Sequence, residues 1–209
     1  MHIKRFYTAS LLSLALAGVA SANIIPTNSS VTGTGPYTWN YAVTLSSDQN
    51  AVAGPAPTTN PVGAANTTGA FFTLYDFAGY VAGSCAGPAG WTCTAQAVGF
   101  TPFDVNPADN ASLLNITWNY TTGATIVGGN GTGSGVELGN FSAQSTFNIV
   151  TAISYAARAI KNNGAFSGST ADNVGTTSGP ISPVPEPISM ALAGIGLVAI
   201  GIARKRRSV

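Results

Sequence analysis

The segment Tyr37–Leu45, YTWNYAVTL, alternates without a break. Tyr37, Trp39, Tyr41, Val43 and Leu45 fall on one side; Thr38, Asn40, Ala42 and Thr44 fall on the other. A period of two marks a strand with one face on a core and the other toward water. The stretch Leu113–Thr121, LLNITWNYT, repeats the pattern, with Leu114, Ile116, Trp118 and Tyr120 against Asn115, Thr117 and Asn119, so its polar face is rich in amides and hydroxyls. Phe71–Val81, FFTLYDFAGYV, is apolar on both faces apart from Thr73 and Asp76, the pattern of a more central strand.

Further strands are expected at Val136–Phe141 and in STFNIVTAISYAARA, where Phe147, Ile149, Ile153 and Tyr155 share a face. The alanines of the latter also suit a helix, whereas the Val, Ile, Thr and Tyr of its first half favour a strand. Between these runs lie PAPTTNP, GGNGTGSG and GSTADNVGTTSGP, in which Gly supplies positive φ and Pro interrupts a ladder. Strands at this spacing predict an all-β fold, an antiparallel β-sandwich over residues 23–183, with a Gly/Ser/Thr-rich linker at about 165–183.

The flanks read differently from the body. MHIKRFYTASLLSLALAGVASAN has Lys4 and Arg5, an apolar run from Leu11 to Ala20, and small residues at Ala20 and Ala22. That is the layout of a secretory signal peptide over residues 1–22, cut after Ala22. Export places Cys85 and Cys93, in SCAGPAGWTC, where a disulfide persists. Closing that loop is worth roughly 2.6 kcal/mol by the chain-entropy argument, a local staple.

Between residues 23 and 183 the only basic side chains are Arg158 and Lys161, against Asp48, Asp76, Asp104, Asp109, Glu137 and Asp172. Two positive and six negative charges give −4, although the whole chain carries +1. This balance argues against nucleic acid as a partner. The single histidine, His2, leaves with the signal peptide, which excludes Ser-His-Asp and Cys-His catalysis and His-ligated metal sites from the body. No catalytic residue and no cofactor is expected. Asp104, Asn106 and Asp109, in FDVNPADN, offer oxygen ligands for a hard cation, but without the EF-hand spacing and glycine; Asx turns around Pro107 are the favoured reading. Seven Asn-x-Ser/Thr sequons, at Asn28, Asn66, Asn110, Asn115, Asn119, Asn130 and Asn140, make glycosylation a candidate modification. Trp39, Trp91 and Trp118 offer stacking surfaces for sugars if exposed; two of them lie on the apolar faces of alternating strands, which favours core packing.

Residues 184–209 contain Pro185-Glu186-Pro187, a charge-free run from Ile188 to Ala203, and Arg204-Lys205-Arg206-Arg207. Sixteen residues of helix rise about 24 Å, short of a hydrocarbon core of about 30 Å. Insertion of the 188–203 helix is therefore feasible but marginal, and the basic cluster at 204–207 stays cytoplasmic as a stop-transfer tail. This arrangement resembles the PEP-CTERM sorting signal of Gram-negative bacteria, and FFTLYDFAGYVAGS is similar to segments of some exported proteins that bear it. The resemblance implies recognition and cleavage by a membrane-embedded exosortase, transient holding at the inner membrane, and delivery to the cell surface or extracellular matrix. It also implies a link to extracellular polysaccharide or biofilm production. The expected role is a non-enzymatic structural or adhesive one; the alternative is a carbohydrate-binding module for extracellular polysaccharide.

Overall fold

A computed structural model describes residues 23–183. The signal peptide expected at 1–22 and the helix expected at 188–203 lie outside the described residues. Ten strands follow in order: β1 (Ile24–Thr32), β2 (Tyr37–Leu45), β3 (Gln49–Ala51), β4 (Phe71–Leu74), β5 (Trp91–Gln96), β6 (Asn115–Tyr120), β7 (Ile126–Val127), β8 (Val136–Ser145), β9 (Ile149–Lys161) and β10 (Thr170–Ile181). The described body is all-β, with antiparallel strand pairing and no helix.

Two sheets share one core. The first has the order β1-β2-β8. The second runs β5-β6-β4-β9; β10 lies along one side of β9, while β4 and the short β3, which carries β7, share the other. The alternation of β2 places Trp39, Tyr41, Val43 and Leu45 inward. In β8 a bulge opposite Val43 and Thr44 resets the inward series from Leu138 to Phe141 and Ala143, and Gly139 takes the φ of +110° that the bulge requires. Phe141 reaches across to the second sheet, edge-on to Phe72, Trp91 and Trp118 at centroid distances of 5.1, 5.1 and 6.0 Å. Phe72 in turn stacks on Trp118 at 5.0 Å.

The second sheet is buried on both faces at its centre. β6 is expected to carry a wet polar face, but Asn115, Thr117 and Asn119 are all buried. The cover comes from two remote stretches, 52–70 and 97–113, which meet at a bridge between Val62 and Pro102. Phe100 O accepts from the hydroxyls of Thr73 (2.8 Å) and Tyr75 (3.0 Å), and Thr73 and Thr117 share a hydroxyl bond of 2.8 Å. A Cβ on Gly99 would fall 2.6 Å from Thr73 and 2.8 Å from Asn115, so only glycine lets this cover lie down. Asn115 donates to Ala97 O and to Asp109 Oδ1, and its own Oδ1 accepts from the Asp76 amide. Asn115 and Thr117 are thus satisfied within the buried layer, whereas the buried side-chain amide of Asn119 has no hydrogen-bond partner among the described residues.

Two further expectations change. Phe71–Val81 is central, but the strand stops at Leu74: Asp76 takes a φ of +59° and the chain turns out of the sheet. The linker expected at about 165–183 is largely β10, paired with β9 from Thr170 to Ile181. Its glycines are required by neighbours. Gly175 lies opposite Tyr155, whose ring would sit 2.7 Å from a Cβ there, and a Cβ on Gly179 would meet Ile153 at 2.3 Å. The side chains of β9 fill the space that β10 leaves empty. STFNIVTAISYAARA resolves as strand from Ile149 onward.

Candidate functional site

The C-terminal strand is fastened along most of its length. Asp172 lies directly across from Arg158, which binds it in a two-point fork: Nε donates to Oδ1 at 2.6 Å and Nη2 to Oδ2 at 2.5 Å. The third arm, Nη1, donates to Gly63 O at 2.6 Å and so holds the cover stretch 52–70. Burial pushes the Asp172 carboxyl up to about 6; Arg158 opposes the rise and the neighbouring Asp104 adds to it. Nearer the end of β10, the buried Tyr41 of the opposite sheet donates its hydroxyl to Ser178 O at 3.0 Å. Burial holds that hydroxyl well above its ordinary pKa, so it remains a donor.

The first described residue is held as firmly. Asn23 is buried; its side-chain amide donates to Ala157 O and Ala171 O, its Oδ1 accepts from the Ile24 amide, and its carbonyl accepts from Ser46 N and Oγ. Asn23 thereby joins β1 to β9 and β10. No sequence signal marks it beyond its place after Ala22. Arg158 and Asp172 were also invisible as a pair, because their partnership depends on a register set far along the chain.

Cys85 and Cys93 are bridged. Cys93 sits in β5, at the edge of the second sheet, whereas Cys85 precedes Ala86, which exchanges backbone bonds of 2.8 and 2.9 Å with Ser142 of β8. The bridge is local in sequence, yet it closes the open side between the sheets. Trp118 Nε1 donates to Ala86 O at 3.0 Å, so the same corner is anchored in the core. Trp39, Trp91 and Trp118 are all core residues, and none offers its face to solvent.

The cation candidates part company. Asp109 turns to Asn115, and Asp104 lies by Asp172. Among the described residues no group of three or more His, Cys, Asp or Glu side chains could hold a metal ion. Of the sequons, Asn115 and Asn119 are buried in the folded protein; Asn66, Asn110, Asn130 and Asn140 are exposed.

Beyond Ser178 the strand runs through Gly179, Pro180 and Ile181, paired with Thr151, Val150 and Ile149. A cavity of about 240 Å³ opens here between Pro180, Ile181, Ser182, Leu113 and Asp76. Ala20, Ala22, Pro185, Glu186, Pro187, Arg204, Lys205, Arg206 and Arg207 lie outside the described residues. Among the described residues no helix is long and apolar enough to cross a membrane. No curated protein and no solved structure matches the chain. Residues 183–207 match the family model of the PEP-CTERM protein-sorting motif, so the chain carries that sorting motif, beginning at the second residue after β10.

Proposed function

We propose that this chain is an exported, non-enzymatic surface or matrix protein, delivered as a folded β-sandwich by exosortase-dependent sorting. The observation that carries the reading is the match at residues 183–207, with Pro185-Glu186-Pro187 ahead of an apolar run and a basic end. A residue that precedes proline favours extended backbone, the form in which a protease takes its substrate, and the motif has proline on either side of Glu186. The apolar run and Arg204–Arg207 hold it at the inner membrane of a Gram-negative envelope while the enzyme acts.

A structural or adhesive role suits what the body presents. Charged residues make up only 7% of the chain. The outer face of β1-β2-β8 carries a ladder of uncharged polar groups beside the exposed Glu137: Asn140 donates to Asn40 Oδ1, Asn40 donates to Ser30 Oγ, and Gln144 donates to Thr38 Oγ1. The carbohydrate-binding alternative rests on exposed tryptophan and on amide-rich strand faces; the three tryptophans and the amides of β6 are buried, which leaves it only the surface amides of Asn40, Asn140 and Gln144.

Replacing Pro185, Glu186 and Pro187 together by Ala is expected to leave full-length precursor in the inner membrane, read by mobility and fractionation of the native host. Normal maturation of the triple variant would sink the sorting reading.

A further inference from the structure

We infer that the end of β10, Gly179–Ile181, belongs to the segment that the processing enzyme takes, and that these residues leave β9 for the enzyme to reach the sorting motif. The inference rests on the sorting reading above and adds the enzyme's footprint on the folded body.

The spacing makes the case. β10 ends at Ile181 and Pro185 opens the tripeptide, so only Ser182, Pro183 and Val184 separate a hydrogen-bonded strand from the motif. Three extended residues reach about 10 Å, no more than the distance between two packed sheets. Peptides are commonly gripped as an added strand, through main-chain bonds over several residues. Proteolysis follows the burial and bonding of the backbone concerned. A body docked up to Ile181 crowds that grip. Releasing Gly179–Ile181 gives six free residues and a reach of about 20 Å.

The strand is built to part at this point and to hold above it. Opposite the segment, Ile149 and Val150 of β9 are 45% and 57% exposed, so pairing buries little on that side, and the cost of release falls on Gly179 and Pro180, which are buried. Gly179 adds no side chain. Release uncovers Pro180 and opens the 240 Å³ cavity whose wall it forms, a local opening well short of unfolding. One residue earlier, Tyr41 holds Ser178 O; further back, Arg158 holds Asp172 and Asn23 holds Ala171 O. The opening therefore has a fixed length.

Val150 and Pro180 lie directly opposite each other, so Val150→Cys with Pro180→Cys offers a removable lock on the full-length precursor. In membranes containing the native enzyme, the oxidised double variant is expected to be processed at least tenfold more slowly than wild type. Reductant, or six Gly/Ser residues inserted between Ser182 and Pro183, is expected to restore the rate; wild type with reductant controls for the native disulfide. A locked precursor processed at the wild-type rate, or one that neither treatment rescues, overturns the inference. Hydrogen exchange on the detergent-solubilised full chain provides an independent reading: the amides of Gly179 and Ile181 are expected to exchange at least tenfold faster than those of Ala171 and Asn173, and equal protection refutes the idea. If the Pro185, Glu186 and Pro187 triple variant is blocked while the lock has no effect, sorting stands and the footprint falls. If the triple variant matures normally, both fall.

Discussion

Arg158 shows how one side chain can organise a cover that has no regular structure. It is almost wholly buried on the face of β9 away from the main core, and it ties β10 to the 52–70 stretch. Its partner's carboxyl has a folded pKa of about 6 against an ordinary 3.8. The native state therefore keeps this proton where the unfolded chain has lost it. The stability it contributes is full below about pH 4 and is lost as the pH climbs to about 6. Arg158→Met is expected to cost about 3–5 kcal/mol at pH 7, because it strands a buried carboxylate, and clearly less at pH 5, where Asp172 takes up a proton. Urea unfolding at the two pH values tests this; equal losses would show that the charge of Asp172 does not matter. Nothing in the local sequence announces the pair, since Arg158 reads there as one residue in an alanine-rich run.

Elements were legible where a single face decides them. The inward Trp39, Tyr41, Val43 and Leu45 of β2 follow from alternation alone. β6 shows the limit: its strand is evident, yet the burial of Asn115, Thr117 and Asn119 is decided by the remote stretch 97–113. β10 is harder still, because TADNVGTTSGPI has few strand-forming side chains and Tyr155 and Ile153 of β9 supply the bulk over its glycines. The disulfide was legible as a bond but not as a closure between sheets. Cys85→Ser with Cys93→Ser is expected to lower stability by about 2.6 kcal/mol and to raise hydrogen exchange first in β5 and residues 80–86. A melting curve matching wild type would show that the corner at Ala86 and Ser142 holds without the bridge.

For the whole molecule, the sorting motif was legible because its parts are contiguous, whereas the role of the body was not. An antiparallel sandwich with a surface of low charge serves many ends, and no residue cluster among the described residues singles out one reaction. All ten described strands lie within residues 24–181. Ending the chain after Pro183 is therefore expected to leave the melting temperature unchanged while releasing the protein from the membrane fraction. A large drop in melting temperature would show that the terminal segment contributes to folding.

Asn23 gives the body an orientation. It bonds to Ala171 at the start of β10, whereas the chain leaves toward the sorting motif from Ile181 at the other end. Ten residues of strand separate these points, about 33 Å. The chain thus enters the body at one end of its last strand and leaves it at the other, so the sorting motif and the first residue of the body belong to opposite ends of β10.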